Sequence, residues 1–256
     1  MTTTRTITAD QPGTLTLDLA LLTAGVITVT AEDDRERAEV VLTTADDEGT
    51  AADAINAATV HQDRAHLTVR LPDLGADNVN STVIQTGGSV SVIQTAGVVR
   101  GNVTGLSITG SGDVFVNGRR IDVTGGAGTV HVSTGSGPIR IEARVPLGSS
   151  LAARTQSADV ITHGVLHAVT ARTMSGDVQL DTVHDFTAKT MSGDVIVDRL
   201  TGDGQAKTMS GTVRVDAPAT GAIPATLSAS SMSGDVRTSG AIQVSARSMS
   251  GRVRHS

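Results

Sequence analysis

The chain has 256 residues, a net charge of −6, two Phe, and no Trp, Tyr or Cys. The lack of cysteine excludes disulfides, thiol catalysis and Cys-ligated metal sites. A compact globule of this length would normally fill its centre with aromatic side chains, because each buries a large area. We therefore expect an elongated fold with a thin core of Val, Ile, Leu and Ala.

The charge is unevenly distributed along the chain. Residues 1–74 carry 13 acidic and 5 basic side chains, whereas residues 75–256 carry 13 acidic and 15 basic ones. We interpret the acidic runs at 32–34 and 46–48 as solvated loops. Electrostatic docking of this acidic segment onto the basic part of another molecule is the alternative.

Alternating apolar and polar residues in the first third of the chain predict strands that form β-hairpins. The predicted strands are 4–8, 14–19, 26–30, 39–43, 60–61 and 67–71. Residues 50–58 form the only predicted helix. Because Pro72 and Gly75 break this pattern, we divide the chain into an acidic β-rich N-terminal segment, 1–75, and a repeat region, 76–256.

The last third of the chain contains five copies of the phrase Met-Ser-Gly-x-Val, spaced by 17, 18, 23 and 17 residues. A period this short fits one coil of a β-solenoid and is too brief for a helix pair or a propeller blade. Gln156 takes the Met position in a sixth copy, and approximate copies occur earlier at 109–114, 124–130 and 134–139. The sequence predicts an all-β fold, a right-handed parallel β-solenoid (β-helix) of about ten coils, most regular over 150–256.

Alignment of the six copies on the Met position predicts which side chains are buried. Ala stands three residues before it and Val four residues after it in every copy. Thr or Ser stands one residue before it. Because side chains alternate along a strand, we expect these positions, and the one five residues before the Met, to face the interior.

A basic column is predicted to face outward, two residues before the Met position. Its members are Arg154, Arg172, Lys189, Lys207 and Arg247, with Ser230 in the remaining copy. Stacked coils are ~4.8 Å apart, so this is a ladder of like charges. It either keeps the sheet face soluble or binds a partner. Without Tyr or Trp there is no base-stacking platform, so we expect no specific nucleic-acid partner.

The Met position forms a second column of the same outward parity. Its members are Met174, Met191, Met209, Met232 and Met249. A residue at a coil corner can also fold inward. The Met column is therefore either corner packing or an exposed, deformable apolar stripe suited to a protein or lipid partner.

Metal and cofactor sites are not expected. An Asp column (Asp159, Asp177, Asp194 and Asp235) lacks the Gly-Gly-x-Gly-x-Asp pattern of calcium-binding β-rolls. We expect its carboxylates to accept hydrogen bonds from turn amides. His163, His167 and His184 lie near equivalent turns, and we interpret them as solvated; whether they meet in space is left open.

Catalysis and membrane insertion are not expected either. The chain has no Gly-x-Ser-x-Gly, Walker or His-Glu-x-x-His motif, and it lacks the aromatics of polysaccharide-cleaving β-helices. The amino terminus has no signal-peptide pattern, and the best apolar run, 17–29, is too short to span a bilayer. We expect a cytoplasmic protein without a transmembrane segment, with a surface location only by unconventional export.

The Thr-x-Ser-Gly-Asp-Val repeats resemble the bacterial putative-adhesin family of unknown function, which is built from single β-strand repeats. Its members open with an acidic strand-rich segment similar to residues 12–18. The resemblance implies a parallel β-solenoid and a non-enzymatic, adhesin-like module that binds a protein or a surface polymer. The alternative is a bactofilin-like scaffold, a homo-oligomer that polymerises end to end through open solenoid edges.

Overall fold

The computed structural model describes residues 2–47, 49–72, 83–86, 89–92, 114–116, 119–121, 137–218 and 224–256. Most of these residues belong to one largely parallel 15-stranded sheet, and four short strands form two separate two-stranded sheets. The prediction of an all-β, β-solenoid-like fold is confirmed at this level.

The first part of the chain forms five strands and one helix. They are β1 (Thr3–Thr8), β2 (Thr16–Glu32), β3 (Glu39–Thr44), α1 (Thr50–Asn56), β4 (Thr59–Asp63) and β5 (His66–Arg70). The predicted helix is confirmed. The predicted hairpin pairing of the first four segments is wrong, because 14–19 and 26–30 belong to the single long strand β2 and the antiparallel partner of β1 is β3. Hairpin-type antiparallel pairing is instead found between β4 and β5.

The middle of the chain contributes four short strands. They are β6 (Val83–Thr86), β7 (Ser89–Val92), β8 (Val114–Val116) and β9 (Arg119–Ile121). β6 pairs with β7, and β8 pairs with β9, both antiparallel. This arrangement differs from the parallel coils predicted for this span. The approximate repeats predicted at 109–114, 124–130 and 134–139 fall largely outside the described residues.

The repeats form the remaining strands. They are β10 (Ile139–Pro146), β11 (Ser150–Arg172), β12 (Val178–Lys189), β13 (Val195–Leu200), β14 (Asp203–Thr208), β15 (Val213–Asp216), β16 (Ala225–Ser231), β17 (Val236–Ser239), β18 (Ile242–Ser248) and β19 (Val253–His255). Each coil has one strand before its Met-Ser-Gly turn and one after it. The strands before the turn stack in one parallel ladder, and those after it stack in another.

The N-terminal segment and the repeats share one sheet. β2 pairs in parallel with β10 and with β11. The first half of β2 lies beside the start of β11, and its second half lies beside the next part of the same strand. β2 thus occupies the position of a coil although it carries no copy of the repeat phrase, and β5 extends the ladder on its far side.

The core is a narrow column between the two ladders. The predicted interior positions are buried in all coils but the last: the Ala position is at most 3% exposed, and the Val position is fully buried. Phe186 lies directly opposite Gly204 in the next coil, so a large ring is accommodated by the absence of a side chain. In the last coil Val244 and Ala246 are only partly buried, and Val253 is 48% exposed.

Helix α1 packs against β1 and β3 and buries four of its seven residues. Arg5 on β1 stabilises the end of this helix. Its Nη1 donates to the carbonyl oxygens of Ile55, Asn56 and Ala58, at 3.2, 2.9 and 2.8 Å. These include carbonyl groups that a helix C-terminus leaves without intrahelical partners. The helix is thereby fixed over the β1–β3 part of the core.

Candidate functional site

The Met-Ser-Gly turn is held by two sets of hydrogen bonds. Within a coil, the glycine N–H donates to the Thr or Ser hydroxyl three residues earlier, as from Gly193 to Thr190 at 2.9 Å. Between coils, the serine N–H donates to the carbonyl at the preceding Met position, as from Ser192 to Met174 at 3.0 Å. The same two bonds recur in the other Met-Ser-Gly copies. Because the Thr side chain is bound inside the turn, the following Met is directed outward.

The Asp column is structural. The carboxylate of Asp177 accepts a hydrogen bond from the backbone N–H of Asp194 at 2.8 Å, and Asp194 accepts one from Thr212 at 2.6 Å. Asp159 and Asp235 accept equivalent bonds. The prediction that these carboxylates bind backbone amides is confirmed, with the refinement that the amide belongs to the next coil.

Asp235 shows the electrostatic effect of this arrangement. The backbone N–H of Arg252 donates to its Oδ1 at 2.9 Å, and the Arg237 guanidinium donates to its Oδ2 at 3.1 Å. Both bonds favour the charged carboxylate, and they lower the pKa of Asp235 below its ordinary value. Its contribution to folding stability is therefore present at neutral pH and is lost only as the pH falls through the lowered pKa.

The Met column is exposed, which decides between its two interpretations. Four of its members are 45–48% exposed, and Met249 is 78% exposed. Strand β2 extends the Met column by one apolar side chain. Its residues Leu22 and Thr23 lie opposite Gln156, and Leu22 is 40% exposed. The result is a line of flexible apolar side chains along one corner of the stacked coils, with Gln156 as its polar interruption.

The basic column lies on the same face, two residues before the Met column. Arg154, Arg172, Lys207 and Arg247 are exposed, and Lys189 is half-buried. Among the residues that the structure describes, no carboxylate oxygen comes within 4.0 Å of these five cations. On its other flank runs a column of short polar side chains: Thr170, Thr187, Gln205, Ser228 and Ser245.

The prediction from the sequence did not include two groups of cations. Arg70 on β5 continues the basic column, since it pairs with Ala20 of β2, which in turn pairs with Arg154. Its Nη2 lies 3.8 Å from Asp18. Arg214, Arg237 and Arg254 form a second column on the strands after the turn. The repeat alignment contains this second column five residues after the Met position, but the pairing of β5 leaves no sequence signal.

The acidic loop between β2 and β3 balances part of its own charge. Arg35 Nε donates to Glu32 at 2.7 Å, and Arg35 Nη1 lies 3.4 Å from Glu39. The hydrogen bond to Glu32 raises the pKa of Arg35 above its ordinary value. The predicted acidic segment thus contains an internal ion-pair group.

Two of the three candidate histidines meet. The rings of His167 and His184 are stacked, with centroids 5.6 Å apart and planes 16° apart. His184 Nδ1 also lies 3.3 Å from Thr201 Oγ1. Rings stacked in this way do not direct their nitrogens at one point. Within the described parts of the chain, no group of three or more His, Asp or Glu is arranged to hold a metal ion, so His163 does not complete a site.

The Toastrack DUF4097 family model matches residues 27–256. The chain belongs to this family. The predicted resemblance to the putative-adhesin family is thereby confirmed, and Toastrack proteins share the β-solenoid-like architecture described above. A search of curated proteins finds no match. In the described ranges, no helix is both long and apolar enough to cross a membrane.

Several solved structures are similar to this Toastrack chain. A putative adhesin from Bacteroides fragilis is 11% identical, with 99% of this chain and 97% of that chain covered and a TM-score of 0.43. A putative adhesin from Parabacteroides distasonis is 11% identical, with 100% and 97% covered and a TM-score of 0.46. One from Parabacteroides merdae is 12% identical, with 100% and 96% covered and a TM-score of 0.43.

Proposed function

We propose that this protein is a non-catalytic, adhesin-like interaction module that presents its basic column and Met column, together the basic–Met face, to a partner. The observation that carries the proposal is the exposure of both columns side by side over successive coils. We also propose that the solenoid is right-handed, because connections between parallel strands of one sheet are right-handed in nearly all proteins.

The structure of the turn supports this assignment. The Thr, Gly and Asp that most repeats carry are occupied by hydrogen bonds that hold the coils together, as at Thr190, Gly193 and Asp194. At the basic and Met positions only the backbone groups join this ladder, and the side chains make no hydrogen bond among the described residues. They are also held at a fixed spacing by a rigid ladder, which reduces the entropy lost when a partner orders them.

Stacked cations without counter-charges are themselves unfavourable. Like charges directly opposite each other on neighbouring strands destabilise a sheet. Arg172 pairs with Lys189, and Lys189 pairs with Lys207. A partner that brings negative charge to this face relieves the repulsion, whereas a neutral partner does not.

The proposal is tested with a variant in which Arg172, Lys189, Lys207 and Arg247 are replaced by Ser. Because these side chains are largely exposed, make no described ion pair and repel one another, we expect the variant to fold with a thermal midpoint that is unchanged or slightly higher. We expect it to lose most of its co-sedimentation with bacterial cell envelopes, measured with fluorescently labelled protein.

The matched control removes the same number of charges elsewhere. The control variant has Ser in place of Arg214, Arg237, Arg252 and Arg254. It lacks the second cation column and the cationic side chain of the last Met-Ser-Gly turn, and we expect it to bind envelopes largely as the parent does. The proposal is contradicted if envelope binding is unchanged in the variant that lacks Arg172, Lys189, Lys207 and Arg247.

A further inference from the structure

We infer that the partner of the basic column is a linear polyanion that carries about one negative charge per coil, and that a carboxylated polysaccharide is the class that fits. This inference rests on the proposed function and specifies its partner. The decisive feature is that the cations stand in single file along the stacked coils and do not form a broad patch.

The register of the strands sets the spacing of these cations. Arg172, Lys189 and Lys207 occupy matched positions on neighbouring parallel strands. Ser230 and then Arg247 follow in the same register. Neighbouring strands are ~4.8 Å apart, so the column from Arg154 to Arg247 is roughly 24 Å long. One sugar unit of a polyuronate advances its chain by a distance of the same order, which places one carboxylate near each coil.

The two flanks of the basic column suit a sugar chain. On one side, the hydroxyl and amide groups of Thr170, Gln205 and Ser228 can donate and accept hydrogen bonds with sugar hydroxyls. On the other side, the half-exposed thioethers of the Met column offer a deformable apolar surface to the C–H groups of a sugar ring. The column thus lies between a polar border and an apolar border.

A bilayer fits this surface less well, because lipid headgroups present charge over a plane. The polar column beside the cations contains no cation. Past the Met corner, the next charged column is acidic in most coils, with Asp177, Asp194 and Asp235 partly exposed. A second row of anions on that side would be repelled. On the strands before the turn, complementary charge is therefore available only along a line.

Nucleic acid is also disfavoured. The chain contains no Tyr or Trp, and Phe186 is buried, so the described side chains of this face include no Phe, Tyr or Trp on which bases could stack. Phosphates of one duplex strand recur every ~3.4 Å along the axis, which does not match coils ~4.8 Å apart.

The test is fluorescence anisotropy with labelled oligogalacturonates of increasing length. We expect affinity to rise with length until the oligomer spans the column, at about six units, and to change little beyond that. Added salt should weaken binding because the charges are exposed. Replacing Arg172, Lys189, Lys207 and Arg247 by Ser should weaken binding about 30-fold, as expected for four surface charge contacts. Neutral dextran should not bind.

The same control variant shows whether a loss of affinity is specific to the basic column or follows from any loss of positive charge. It lacks Arg214, Arg237, Arg252 and Arg254. An equal loss of affinity in that control would overturn the inference. So would stronger binding to phosphatidylglycerol vesicles than to any oligogalacturonate, since that result indicates a membrane partner. If envelope binding depends on the basic column but no oligogalacturonate binds, the proposed function stands and the polysaccharide inference fails.

Discussion

Replacing Gly193 with Ala is expected to destabilise the protein by about 4 kcal/mol or more, because two backbones meet at this position. A Cβ on Gly193 would clash with the carbonyl oxygen of Gly176 in the preceding coil. It would also lie 2.6 Å from that carbonyl carbon and 3.0 Å from Thr190 Oγ1. Both backbones are held by the inter-coil ladder, so neither can move without breaking hydrogen bonds. Denaturant unfolding monitored by circular dichroism measures the change.

The control for this prediction is the neighbouring residue of the same turn. Ser192 is exposed, and its backbone N–H, which an Ala retains, makes the bond to Met174. Replacing Ser192 with Ala should change the stability by no more than about 0.5 kcal/mol. If the Gly193 and Ser192 variants unfold at the same denaturant concentration, the turns are not stacked as closely as described.

Replacing Leu180 with Ala is the second large effect that we expect, a loss of about 2–5 kcal/mol in the free energy of unfolding. Leu180 is 1% exposed and lies between Thr162 and Val197 in the core ladder. Strand spacing is fixed by the backbone ladder, so the core cannot easily collapse into the space that the leucine leaves. The measurement is the free energy of unfolding of the variant and the parent.

Gln179 provides the matched comparison for Leu180. It is the preceding residue on the same strand, but its side chain is exposed on the opposite face. Replacing Gln179 with Ala should leave the free energy of unfolding within about 0.5 kcal/mol of the parent. Equal losses at Leu180 and Gln179 would contradict the assignment of the inner and outer faces.

The regular coils were predictable from the sequence because strand alternation and the stacking of coils require the same positions of each repeat to be apolar. The column of Ala at three residues before the Met position and the column of Val at four residues after it are both buried, as strand alternation requires. The pattern fails at Val244, Ala246 and Val253. These residues occupy the last described coil, where no further described strand covers them. Alternation predicts the face on which a side chain lies, but not whether a neighbouring coil buries it.

The role of β2 could not be predicted, because it depends on pairing between segments far apart in the chain. Leu21, Leu22 and Thr23 occupy the corner that the repeat fills with Thr-Met-Ser-Gly, so no motif identifies it. Alternation within β2 suggested two separate strands of local hairpins, since a hairpin is the commonest local solution. Its partners include β10 and β11, more than 100 residues later, and β5 on the far side of its first half.

The two outward columns of the candidate site could be read from the repeats, but the orientation of the Met side chains and the addition of Arg70 could not. The outward parity of the basic column was correct. The Met column had two possible orientations, and the hydrogen bond between Gly193 and Thr190 shows why the outward one is adopted. Arg70 was missed because it joins the column only through Ala20, a pairing set by tertiary structure.

The basic–Met face is tested most directly by nuclear magnetic resonance of protein labelled with ¹³C in its methionine methyl groups. The chain has six methionines, of which five form the Met column and Met1 belongs to no repeat. Titration with an oligogalacturonate long enough to span the column is expected to shift the signals of Met174, Met191, Met209, Met232 and Met249 and to leave that of Met1 unchanged. Saturable binding that leaves the five column signals in place would contradict the assignment of this face.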